Sequence, residues 1–275
     1  MYDDDLTNVV LNVHRRNAES TSRLANHPLT RAYLEAGLRI LLREFSMERT
    51  AADDDRFLRP LATLTRETVV AEVANGPAEL PRQGTVGSFR DRWHYFPGYV
   101  SDLARYTLRE RRMYADRDLA ADGEGPLADG EFSRAVHEIA YRRMVIAMQS
   151  ATLRFRYSAI ALAARDETLH DAMAAVYNGV TGIWERMIDA VLTARGLSLR
   201  PGTTTLELAT MLTAINEGLT FRIASDPGSV ALDDERRRTL LGKAALALFA
   251  GCVDTGDHAT LEDLAERIAR SSGAE

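Results

Sequence analysis

Cysteine is all but missing from this chain: of 275 residues only Cys252 carries a thiol. No intrachain disulfide and no cysteine-based zinc cluster can form, which suits a reducing compartment and leads us to expect a cytoplasmic protein. Lysine is as scarce, with Lys243 alone among 34 basic residues. Long apolar runs are lacking too. The longest, Ala244 to Val253, is too short to span a bilayer and reads as a buried helix. The opening MYDDDLTNVV is acidic where a secretory signal is basic, so no membrane partner is expected. There is no Gly-x-Ser-x-Gly elbow, no phosphate-binding glycine loop and no His-Glu-x-x-His, which leaves a non-enzymatic role without a cofactor as the expectation.

What remains is an ordinary globular composition, 45% apolar and 27% charged. That is enough to bury a sizeable core without metals or disulfides. Net charge is −6, which argues against a generally cationic nucleic-acid coat and leaves room for a local basic patch.

Helical periodicity runs through almost the whole sequence. Leu34, Leu38, Leu41, Leu42 and Phe45 mark one helix face, and Leu169, Met173, Val176, Val180, Ile183, Met187 and Val191 a long second one. Leu208, Met211, Leu212, Ile215 and Leu219 form a third, and Leu241, Ala245, Leu248, Phe249 and Cys252 a fourth. Sustained alternation with hairpin turns is absent, so the fold class expected is all-α. Three segments are expected: a polar, flexible extension over 1–28, a small domain over 29–115, and a larger bundle over 130–275. The Gly- and Asp-rich run DRDLAADGEGPLADG, 116–130, reads as the linker between the last two.

Charge concentrates across the last two of the helices expected between 65 and 113. Thr65 and Thr85 are plausible N-caps, for a helix carrying Val69, Val70 and Val73 and for the segment VGSFRDRWHYF. A further helix is expected from Tyr99 to about 113. Across Arg82–Arg112 seven arginines stand against three acids. Positive charge interleaved with aromatics suits phosphate binding. A solvated arginine face with Trp93 and Phe96 in the core fits the same pattern.

The run Ser88-Phe89-Arg90-Asp91-Arg92-Trp93-His94-Tyr95-Phe96-Pro97, followed by Tyr99 to Leu103, resembles the end of the helix-turn-helix of TetR-family transcriptional regulators. Ser88, Trp93, Tyr95, Phe96 and Leu103 hold places corresponding to the family's motif. The departures are the eleven-residue connection Asn75–Thr85, Arg90-Asp91 in place of Gly-Thr, and Tyr99 where the family carries a basic residue. The resemblance implies a small N-terminal helix-turn-helix domain, TetR-like, ahead of a ligand-binding and dimerisation bundle. It places Ser88, Phe89, Arg90 and Arg92 in a major groove, with Trp93, Tyr95 and Tyr99 on phosphates or sugars. Operator DNA would be the partner, bound by a homodimer and released by a small-molecule effector.

In the bundle, residues 237–253 are apolar on more than one side and must bury two faces. A central helix of a monomer would do so; with the 206–221 helix beside it a two-fold four-helix interface explains it better, and Met211, Ile215, Leu241, Ala245, Leu248 and Phe249 are the expected dimer interface. Tyr141, Met144, Met148, Tyr177, Trp184 and Met187 are soft or aromatic side chains that could line an effector pocket, and equally a plain core. Glu167-x-x-His170 has the spacing of a di-iron ligand pair, yet a second such pair is absent. Two rivals to the regulator thus stand: a bundle whose helix-turn-helix has decayed and which works through protein or ligand contacts, and a metal-binding helical enzyme using Glu167 and His170.

Overall fold

The computed structural model describes residues 4–13, 17–46, 63–109, 114–163, 167–226, 228 and 232–271. Among them lie twelve α-helices and one two-residue antiparallel ladder, so the chain is all-α. The insertion at 46–64 lies mostly outside the described residues. The chain divides into two compact units, one made of residues 1–112 and 149–176, the other of 113–148 and 177–275. Residues 149–176 therefore group with the N-terminal residues rather than with 130–275.

The first unit is built around α2 (Pro28–Glu44), which packs with α1 (Ala18–Ala25), α3 (Arg66–Glu72), α5 (Phe96–Leu108) and α8 (Ala151–Ala163). Pro28 opens α2 in a position where its missing N–H costs nothing. Tyr33, Leu34, Leu38 and Leu41 are buried, and so are Arg31 and Glu35. Gly37 lets α5 come close: a Cβ there would lie 2.0 Å from the Tyr99 hydroxyl.

The described residues of the first 28, namely 4–13 and 17–28, are tied into the first unit rather than forming a loose extension. Leu6, Val10 and Val13 are buried in the core. The Leu11 and Asn12 backbone N–H groups and the Asn12 side chain all donate to Asp102 on α5. Asp4 pairs with Arg31 and Arg109. Polar residues that looked like solvent seekers are there to satisfy buried charge.

In the second unit the expected linker is helix α6 (Tyr114–Asp129), with Pro126 inside it. Tertiary burial overrides the propensity of its glycines. Leu119, Ala120 and Leu127 are buried, and Asp116 sits beside Arg143 at 3.2 Å. α7 (Phe132–Gln149) and α9 (Glu167–Arg195) follow α6, and only the 177–195 part of α9 belongs to this unit. Gly196, at φ +62°, ends α9 and lets the Leu197 N–H return to the Leu192 carbonyl. α10 (Thr205–Ser225) and α11 (Leu240–Cys252) pack side by side. Between them a small ladder pairs β1 (Leu232–Asp233) with β2 (Arg238–Thr239), a hairpin with no alternation long enough to be read in sequence. α12 (Leu261–Ser271) closes the described chain. Ala140, Met144, Leu219, Ile223 and Leu241 form one core cluster, with Met148, Ile215 and Leu232 against its edge.

Candidate nucleic-acid interface

The α3–α4 region forms where its sequence signals lie. Thr65 accepts from the Thr68 N–H at 3.2 Å while the Thr65 N–H donates back to the Thr68 hydroxyl. Thr85 and Ser88 repeat that reciprocal arrangement at the start of α4 (Val86–Arg90). α4 is a turn and a half long. It ends at Arg90, and the next helix begins at Phe96 rather than Tyr99, with Pro97 in its first turn.

Aromatic packing fixes this segment. Phe89, Trp93, Tyr99 and Tyr33 are fully buried and meet mostly edge to face, at centroid separations of 5.1 Å for Tyr33–Phe89, 4.9 Å for Phe89–Tyr99 and 5.0 Å for Trp93–Tyr99. The Trp93 indole N–H donates to Asp102 at 2.8 Å, and the Tyr99 hydroxyl to the Tyr33 carbonyl at 2.9 Å. Burial pushes the Asp102 carboxyl up, against the opposing pull of its hydrogen bonds from Trp93 and Asn12. Next to this core Glu72 is buried between Arg39 (2.9 Å) and Arg43 (2.8 Å). Burial opposes its charge, yet the hydrogen bonds from Arg43, Arg39 and Asn75 hold its carboxyl down at about 2.

Four of the seven residues expected to touch DNA are therefore supports. Phe89, Trp93 and Tyr99 are core aromatics, and Arg92 is buried with its guanidinium on the Thr30 hydroxyl (2.9 Å), the Ser88 carbonyl (2.8 Å) and His27 (3.1 Å). Ser88 is half-buried and shares a 2.7 Å hydrogen bond with the Tyr33 hydroxyl. Large aromatics went to the core, where they pack alongside buried aliphatic side chains such as Leu34, Leu41 and Leu103. Arg90 and Tyr95 do face solvent, Tyr95 with 74% of its surface exposed. Gly87, Asp91 and His94 join them on the exposed side, which the sequence reading missed. The signal was available: from 87 to 95 the exposed positions recur at steps of three and one, as on a helix.

The arginine patch shrinks in the same way. Arg105 lies 3.4 Å from Asp102, and Arg109 covers the Tyr106 ring at 3.7 Å while pairing with Asp4. Arg111 and Arg112 fall outside the described residues. Of the seven arginines, Arg82 and Arg90 are the ones seen exposed.

In the second unit Met144 is fully buried in the core cluster, with Met148 against its edge. Met187 is buried, and Tyr177 and Trp184 are half-buried. Tyr141 turns outward to the hairpin, its hydroxyl donating to Asp234 at 2.8 Å. Among the expected interface residues Leu241 is buried in its own core, because the side of α11 that it occupies faces α7 and α10; Ile215 packs at the edge of the same cluster. Met211, Ala245, Leu248 and Phe249 are half-buried, Phe249 with its ring 4.3 Å from that of Phe132. Leu206, Phe221 and Leu240 keep 50%, 46% and 45% of their surface exposed. Glu167 and His170 are exposed, and among the described residues no group of three His, Cys, Asp or Glu side chains could hold a metal.

No family model, no curated protein and no solved structure matches this chain.

Proposed function

We propose that this chain is a DNA-binding transcriptional regulator of TetR-like organisation, acting as a homodimer and controlled by a small apolar or aromatic effector. One observation carries the reading. α4 and the residues after it are clamped from beneath by Tyr33, Phe89, Trp93 and Tyr99 while Arg90 and Tyr95 stand in solvent. A rigid support under a short polar surface is what base-edge recognition needs, and an arginine can grip guanine through two hydrogen bonds. Gly87, exposed in the same stretch, lets a phosphate backbone approach without meeting a side chain.

Dimerisation belongs to α10 and α11, whose Leu206, Phe221 and Leu240 leave apolar surface in water. A two-fold pair would present two reading surfaces, and half-sites about 34–36 Å apart are the spacing that successive grooves on one side of a duplex require. An effector that binds the non-DNA-binding arrangement more tightly releases the operator by population shift.

A gel shift against the region upstream of the protein's own gene, at two salt concentrations, tests this. Arg90→Ala should relax sequence preference, whereas Arg82→Ala should weaken binding to all sequences and lower the salt slope by about 1. A second reading, a decayed reading head that works through protein or ligand contacts, is favoured by the inward turn of Arg92, Arg105 and Arg109. Absence of any shift at low salt decides for it.

A further inference from the structure

His27 stands just before α2 and caps it: its Nδ1 accepts the Leu29 N–H at 3.0 Å. The same nitrogen is 3.1 Å from a terminal nitrogen of Arg92. A backbone N–H and a guanidinium can only donate, so Nδ1 is the bare nitrogen and the neutral ring carries its proton on Nε2. Arg92 in turn donates to Thr30 on α2 and to the Ser88 carbonyl of α4. One imidazole lone pair thus holds the start of α2 and, through a buried arginine, the underside of α4.

We propose that His27 is an acid-released latch on α4: a proton on Nδ1 removes both acceptor bonds at once, sets imidazolium against guanidinium, and loosens the α2–α4 junction. The ring is partly solvent-exposed, so the proton has access. Arg92 faces the ring; Arg31 on α2 turns to Asp4; Asp5 is held by Thr7 and Asn26; Arg23 and Glu19 on α1 pair with each other; Asp91 and His94, beyond α4, are exposed. Among the described residues no carboxylate pairs with His27. Burial, and then the Arg92 charge, lower its pKa below the ordinary 6.5. Folding then favours the neutral ring, so stability is full above that ordinary value and falls as pH drops through it.

The latch does not depend on DNA, and although it would tune the surface proposed above, its test separates the two. In the intact protein the imidazole of His27 and the backbone amides of residues 28–31 and 86–92 are followed by NMR from pH 8 to pH 5. The Leu29, Ser88 and Arg92 amides should shift with the His27 midpoint, itself below 6.5. His27→Asn, which keeps a capping oxygen and cannot titrate, should remove that step. A His27 titration that leaves residues 86–92 unmoved overturns the latch, as does a step that survives in His27→Asn. If DNA is bound, its affinity should fall below the His27 midpoint in the parent and not in the variant. Failure to bind any DNA sinks the regulator reading and leaves the amide result standing.

Discussion

Glu72 shows how a single side chain can look unremarkable in sequence and be decisive in the fold. It is the last residue of α3, yet it is buried between two arginines 33 and 29 residues away in sequence. Its folded pKa, about 2, lies below the ordinary 4.5. A depressed carboxylate contributes stability that is fully present above its ordinary value and is lost as pH falls through the folded one. Glu72→Gln should therefore cost about 2–3 kcal/mol near neutral pH. Urea unfolding of parent and variant should show this gap narrowing between pH 4.5 and pH 2. A gap that stays constant over that range would refute the assignment. Asp102 was illegible for the same reason. Besides Trp93, its donors include Leu11 and Asn12, some 90 residues away, and no local pattern announces a buried carboxylate. Arginines turned inward mislead in the opposite sense: Arg92, buried, and Arg109, half-buried, count as surface charge in any composition argument. The caps at Thr65 and Thr85 were legible because the partners lie three residues on.

At the level of elements, α6 is the clearest case of tertiary structure overruling local preference. Two glycines and a proline within 123–126 read as a linker, although Leu119, Ala120, Gly123 and Leu127 carry a helical burial pattern. The two glycines have different roles. A Cβ on Gly123 would come within 2.5 Å of Ile139 Cδ1, whereas nothing lies within 4 Å of one on Gly125. Gly125→Ala should therefore stabilise the protein by up to about 1 kcal/mol, the helix-interior penalty of glycine. A lower unfolding midpoint for that variant would mean that α6 is not helical there. Gly242 on α11 is a close-approach glycine of another kind. Its missing Cβ would stand 2.4 Å from His137 Nδ1 and 3.3 Å from the His137 Cα, so α7 itself would have to move. Gly242→Ala should cost about 1–3 kcal/mol in urea unfolding, as overpacking does.

For the whole molecule, the all-α class was plain from periodicity, since stripes such as Leu34–Leu38–Leu41 are a direct imprint of burial. The grouping of helices was not. Where a chain crosses from one unit to another mid-helix, as at residues 176–177, no turn or composition change marks the place. The apolar excess of α11 is legible, but which side of it is spoken for by its own chain is not, and Leu241 went inward. If α10 and α11 form the dimer seam, Leu240→Glu combined with Leu206→Glu should give a monomer in sedimentation experiments at concentrations where the parent is dimeric. A parent that sediments as a monomer throughout would remove the seam from the proposal.

The chain holds just two tryptophans, and each unit has one of them. Trp93 is sealed in the aromatic core with its N–H on a carboxylate; Trp184 is half-buried in a different chemical setting. Fluorescence of a Trp184→Phe protein would then watch the first unit alone, and Trp93→Phe the second. Red shifts that set in at different denaturant concentrations would reveal, without any added label, whether the halves melt together or in succession.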